Sequence, residues 1–119
     1  MIKFKSLNRN EDFIKILKKK RINTKYFTIY FCKNSIVSNK YLNVSFVTKK
    51  KIGNAVTRNR IRRKLKSAIQ KSLDKKGLIN LNYTYIIFGK NNVYKDKFNL
   101  ILNEVSKTFK KIKQMDSCT

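Results

Sequence analysis

The sequence predicts one mixed α/β domain with the element order α-β-β-α-β-α, and three observations carry that expectation. Two long stretches space their apolar residues by threes and fours: Ile61, Leu65, Ala68, Ile69 and Leu73 in one, Phe98, Leu102, Val105, Phe109 and Ile112 in the other. That is the period of a helix with one buried face. Three shorter runs, YFTIYFC from Tyr26, YLNVSFVT from Tyr41 and NYTYIIFGK from Asn82, are dense in aromatic and β-branched residues, as strands are. Finally, 119 residues of which 41% are hydrophobic suffice for a single core, since a chain of this size buries roughly two-thirds of its unfolded surface.

The elements follow in order. Asn8 with Glu11 resembles a capping box, and Glu11 and Asp12 suit the positive end of a helix. Phe13, Ile14, Ile16 and Leu17 then supply an apolar face before the basic run Lys18–Arg21, so a first helix is expected over Asn8–Lys20. A strand over Tyr26–Cys32 leads through polar KNSIVSNK to a second over Tyr41–Thr48, where Leu42, Val44 and Phe46 alternate with Asn43 and Ser45. Lys49–Asn54 turns the chain, helped by Gly53. The longest helical pattern spans Ala55–Lys75, with Arg60, Arg63, Lys64, Lys66 and Lys71 opposite its apolar stripe. Arg58 and Arg62 flank that stripe and could point along the helix toward the sheet. Gly77 is a natural stop. A third strand over Asn82–Lys90 and a last helix over Lys95–Lys113 complete one domain, 1–119, with a flexible tail expected at about 114–119. No repeat, linker or second domain is visible.

Thirty Lys and Arg against six Asp and Glu give a net charge of +24, and self-repulsion of that size opposes compaction. Eight Phe and six Tyr nevertheless argue against disorder. A folded domain whose charge is neutralised in a complex with nucleic acid reconciles the two. Apolar runs such as Tyr85–Phe88 fall far short of a membrane span, and MIKFKSLNRNEDF has no apolar signal segment, so no membrane association is expected. Only Cys32 and Cys118 carry thiols, and the chain has no His. That removes His-containing zinc sites, Cys–His nucleophiles and Ser–His triads together. Cys32 reads as a small buried hydrophobe and Cys118 as incidental, which fits a reducing, cytoplasmic setting. Glu11 and Asp12 diverge by about 100° on a helix and so form no pair, and Asp74, Asp96, Glu104 and Asp116 form no local constellation. No catalytic or metal-ligating residue is expected in this chain.

Positive charge is concentrated in kind as well as amount. Four of the six arginines, Arg58, Arg60, Arg62 and Arg63, fall within six residues, and Lys49–Lys66 holds nine basic residues and no acid. Arginine adds a planar fork that grips phosphate through two bonds and stacks on bases. A basic helix can be a merely solvated face, but a lysine-rich turn before it in a chain of +24 favours a nucleic-acid surface. A helix-turn-helix DNA reader needs two helices joined by a short turn, whereas here a strand and a lysine loop precede the basic helix. Phe13 and Tyr30 admit two roles, core packing or an open sheet face that stacks unpaired bases. Alternation cannot decide between them, because YFTIYFC is apolar at nearly every position.

The run KKKIGNAVTRNRIRRKLK resembles the signature of the bacterial ribonuclease P protein family, KxxGxAVxRNRxKRxxR. It stands here as Lys50, Lys51, Gly53, Ala55, Val56, Arg58, Asn59, Arg60, Arg62, Arg63 and Lys66, and the order from NEDF to the last amphipathic helix also matches. The resemblance implies a two-layer α+β sandwich like the second domain of ribosomal protein S5. Its sheet would be four-stranded, with three helices and a left-handed βαβ crossover around the basic helix. It implies a subunit that binds ribonuclease P RNA and the 5′ leader of precursor tRNA, promoting endonucleolytic removal of that leader. Catalysis and Mg2+ would belong chiefly to the RNA, and no dedicated protein partner is implied. Matched by motif, Lys50, Lys51, Arg58, Asn59, Arg60, Arg62, Arg63 and Lys66 would form the RNA-binding surface, with Lys51 at a cleft's edge. Phe13, Leu17, Tyr30 and Lys49 would line that leader-binding cleft. Three positions depart from the pattern: Leu17 is often aromatic, Lys49 replaces a small residue, and Lys66 stands where Arg is common. A structural, ribosomal-type RNA-binding protein without processing activity is the alternative; it explains the charge but not the ordered motif.

Overall fold

Strand alternation organises the molecule into layers around one twisted sheet. The computed structural model describes residues 3–5, 10–33, 41–75 and 77–117. In chain order these form β1 (Lys3–Lys5), α1 (Asn10–Leu17), β2 (Lys20–Asn23), β3 (Phe27–Lys33), β4 (Tyr41–Val47), a 3-10 turn (Lys50–Ile52), α2 (Ala55–Leu73), β5 (Tyr83–Gly89), α3 (Asn92–Lys95) and α4 (Phe98–Ser117). The sheet has five strands in the order β1-β4-β5-β3-β2, one more than the resemblance implied. The strands outside the three expected from pattern are the edge strands β1 and β2, whose KFK and KRIN sequences are short and polar. Lysine at an edge discourages pairing with another chain. β4 and β5 are parallel neighbours joined through α2, while β3 runs antiparallel to both β5 and β2.

Phe27, Ile29 and Phe31 of β3 point to one face, where they join Leu42 and Val44 of β4 and Tyr85 and Ile87 of β5. The apolar stripes of α2 (Ile61, Leu65, Ala68, Ile69) and α4 (Ile101, Val105, Phe109, Ile112) close over them in the main core. Tyr85 meets Phe109 edge to face at 5.1 Å, a geometry that aromatic quadrupoles favour. Gly89 lets α2 lie directly on the sheet: a methyl there would sit 2.6 Å from Ile61 Cγ2. α1 packs on the other face, against β3 and β5, and Ile16 and Ile86 are buried outside the main core. A partial third layer therefore supplements the two expected.

Element boundaries differ from the pattern for local reasons. α1 ends at Leu17 because the chain turns at 18–19, where Lys18 and Lys19 amides bond to Lys15 and Ile16 carbonyls, and Lys20 then enters β2. α2 starts where expected because the Asn54 side chain accepts the Thr57 amide at 2.9 Å, a cap worth about 1 kcal/mol. Gly77 follows with φ +73, a backbone that only glycine adopts without strain. The last helix is split, since Asp96 is extended (φ −89, ψ 160) between α3 and α4, and α4 runs on to Ser117, overlapping the tail expected at about 114–119. Cys32 is half-buried rather than core, because it lies on the α1 face of β3. The Asn8 cap and Cys118 lie outside the described residues.

Candidate nucleic-acid interface

Cross-strand register builds a cleft on the α1 face. Thr28 and Tyr30 alternate away from the main core, and the antiparallel register sets Thr28 opposite Phe88 and Tyr30 opposite Ile86. Phe88 is the hub of an aromatic trio, 5.6 Å from Tyr30 and 6.4 Å from Phe13 between ring centroids, both edge to face. Next to it opens a cavity of about 620 Å3, within the usual range for a ligand cleft. Leu17, Tyr30 and Phe88 supply apolar lining, Lys49 and Lys51 supply charge, and Thr28, Ile52, Gly89, Lys90 and Asn91 complete it. Lys90 is braced by the β2–β3 turn, its ammonium donating to the Thr24 carbonyl at 2.6 Å and to the Asn23 side chain.

Of the expected cleft residues, Leu17, Tyr30 and Lys49 line this cavity together with Lys51. Phe13 joins it through Phe88. Phe13 and Tyr30 are half-buried and lie outside the main core, packed on Phe88. Thr28, Ile52, Phe88, Gly89, Lys90 and Asn91 were missed, because they come from β3, the turn before α2, and β5 with the residues after it, which only the folded sheet brings together.

The arginines divide around α2. Arg62 Nη1 donates to Thr48 Oγ1 at 2.8 Å at the end of β4, and Nη2 bonds to Asn59 Oδ1, so Arg62 reaches toward the sheet as its wheel position suggested. Arg58 is half-buried, and its Nε is buried without a hydrogen-bond partner. Asn59, Arg60, Arg63 and Lys66 are exposed along the helix, as are Lys50 and Lys51 in the turn before it. Lys66 lies over the Phe4 ring at 5.7 Å, and Arg60 over Tyr94 at 6.0 Å. The first turn of α2 holds no acid, and Arg58 and Arg60 follow close behind at the positive end of the helix dipole. That placement costs stability in the free protein and favours an anionic partner.

Among the described residues, Asp96 is engaged structurally. Asp96 accepts the Tyr26 hydroxyl at 2.6 Å and lies 3.5 Å from the Lys25 ammonium. The hydrogen bond from Tyr26, helped by Lys25, holds the Asp96 carboxyl below its ordinary range. The same bond, with burial, pushes the Tyr26 hydroxyl up to about 12. Among the described residues no three His, Cys, Asp or Glu side chains gather into a metal site. No helix among the described residues is long and apolar enough to cross a membrane.

A basic α/β domain with an arginine-bearing crossover helix beside an aromatic cleft has the features of a nucleic-acid-binding subunit. Comparison makes the assignment specific. The family model described as Ribonuclease P matches residues 1–113. The ribonuclease P protein component of Clostridioides difficile (strain 630) is 35% identical over 107 residues, covering 87% of this chain and 91% of that protein. Its counterpart in Mesomycoplasma hyopneumoniae (strain 7448) is 31% identical over 115 residues, covering 96% and 97%. The RNase P protein from Thermotoga maritima superposes with a TM-score of 0.73 at 21% identity, over 90% of this chain and 96% of that one. The Staphylococcus aureus RNase P protein gives 0.72 at 25% identity, over 91% and 94%. This chain belongs to the ribonuclease P protein family, the protein component of the ribonucleoprotein that matures the 5′ end of tRNA.

Proposed function

We propose that this subunit holds two RNAs at once, through two surfaces that meet at the turn before α2. Arg58, Asn59, Arg60, Arg62, Arg63 and Lys66 grip ribonuclease P RNA, while the cleft of Phe13, Leu17, Tyr30, Phe88 and Lys49 receives the single-stranded 5′ leader of precursor tRNA. The observation that carries this reading is the position of Lys49, Lys51 and Ile52: they line the cavity and lead directly into α2. Unpaired bases stack on aromatic rings, and lysine at the rim neutralises the phosphates between them.

Catalysis, on this proposal, resides in the RNA, and the phosphates of the RNA hold Mg2+. The protein's own residues contribute binding and charge. A basic surface between two RNAs lowers their mutual repulsion. The cleft binds a segment that mature tRNA lacks, so it favours substrate over product. The setting proposed is the cytoplasm.

The test is cleavage of 5′-labelled precursor tRNA by cognate ribonuclease P RNA at low magnesium, with and without the protein. Stimulation is expected from the wild type and not from a folded Arg58→Ala/Arg60→Ala/Arg63→Ala variant. Tight RNA binding without any stimulation would instead identify a structural RNA-binding protein.

A further inference from the structure

α2 and α3 border a second, open hollow of about 470 Å3, lined by Arg60, Arg63, Lys64 and Tyr94. It shares no lining residue with the leader cavity. Three cations and an aromatic ring form it, and no carboxylate does. Tyr94 is 43% exposed, more than packing between two helices requires, and the Arg60 guanidinium lies 6.0 Å from its ring centroid.

The frame around the ring is built. Lys64 Nζ donates to the Asp96 carbonyl at 2.5 Å, tying α2 to the end of α3. Asn92 Nδ2 donates to the Lys25 carbonyl at 3.1 Å at the start of α3. The neighbouring acid, Asp96, is already occupied by Tyr26 and Lys25. An exposed ring beside the Arg60 guanidinium, with Arg63 and Lys64 lining the same hollow, suits a nucleotide, with phosphate on the cations and the base on the ring. A carboxylate of an acidic peptide would use the cations alone, whereas a nucleotide uses the cations and the ring together.

We propose that this hollow binds an unpaired nucleotide of ribonuclease P RNA, with Tyr94 stacking the base and Arg60, Arg63 and Lys64 holding the flanking phosphates. The proposal rests on the function proposed above. The RNA subunit is the chosen source because Arg60 and Arg63 belong to its arginine surface, whereas the leader has a separate cavity.

The chain has no Trp, so Tyr94→Trp installs a single indole for titration with full-length ribonuclease P RNA. Quenched emission at unchanged or higher affinity is expected. Tyr94→Ala should weaken binding by about five- to a hundredfold, the usual loss of one base–aromatic stack, and Tyr94→Phe should stay within about twofold. Because Tyr94 carries no charge, Tyr94→Ala leaves the slope of log K against log salt unchanged, while Arg60→Ala reduces it by about one. A purely structural Tyr94 would lower the melting temperature without changing affinity. That outcome, an unquenched indole, or a loss confined to precursor tRNA would overturn the nucleotide site. The Arg58/Arg60/Arg63 triple variant belongs in the same titration. If it loses affinity while Tyr94 variants do not, only the nucleotide site fails; if it binds normally, the assignment of α2 to the RNA fails as well.

Discussion

Replacing Gly89 with alanine sets two opposing effects against each other at the point where the basic helix rests on the sheet. Alanine restricts the unfolded chain and by that route stabilises a compatible site by about 0.4–1 kcal/mol. Here the added methyl would lie 2.6 Å from Ile61 Cγ2, 3.0 Å from Leu65 Cδ1 and 3.4 Å from Thr48 Cγ2. Ile61 and Leu65 are almost fully buried, at 0% and 1% exposure, so neither can swing aside, and overpacking of a full core costs about 1–3 kcal/mol. The clash wins, leaving a net loss of about 0.5–2 kcal/mol. With an unfolding entropy near 2.1 cal/mol/K per residue, that lowers the melting temperature by about 2–8 °C. α2 must lift to relieve the contact, and Arg62 would then lose its 2.8 Å bond to Thr48, so RNA affinity should fall together with stability. Thermal melts by circular dichroism and RNA titration of the same variant are the measurements. A melting temperature at or above wild type would refute the close seating of α2 on Gly89.

Three further outcomes are expected. Phe88→Ala removes the ring that Phe13 and Tyr30 both touch; affinity for precursor tRNA in the holoenzyme should drop about five- to a hundredfold with mature tRNA unaffected, and equal losses for both would count against a leader contact. The carboxyl of Asp96 is depressed by the Tyr26 hydrogen bond and by Lys25, so its stabilisation is complete above the unfolded value of about 3.9 and is lost as pH falls through the lower folded value. Asp96→Asn should therefore melt below wild type near neutral pH, with the gap closing in acid; a gap that persists at low pH would assign the effect to packing instead. A net charge of +24 should make the free protein more stable in sulfate than in chloride of equal ionic strength, and identical melts in the two salts would show that self-repulsion is not what limits it.

Much of the fold is legible because helix periodicity is local. The stripes ending at Leu73 and Ile112 need no knowledge of their partners, and they mark α2 and α4 to within a few residues. β1 and β2 escape such reading, since KFK and KRIN resemble loops until a neighbouring strand supplies hydrogen bonds. The break before α4 is equally non-local. Asp96 leaves helical geometry in contact with the hydroxyl of Tyr26, 70 residues earlier. Cys32 looked like core for the same reason that Tyr30 was ambiguous: nearly every position of its strand is apolar, so only the sheet's two coverings distinguish the faces.

Charge, the arginine cluster and its helical spacing are properties of residues close in the chain, and by themselves they mark a basic helix and the family motif. The cleft is of another kind. Leu17, Tyr30, Lys49 and Phe88 come from α1, β3, the turn before α2 and β5, and what unites them is the pairing of Thr28 with Phe88 and Tyr30 with Ile86. A shift of one residue would carry Phe88 to the opposite face of the sheet. Register is set by the packing of the whole core, so residues close in the chain could mark a basic, arginine-bearing helix, while only the tertiary structure decided which side chains line the cavity beside it.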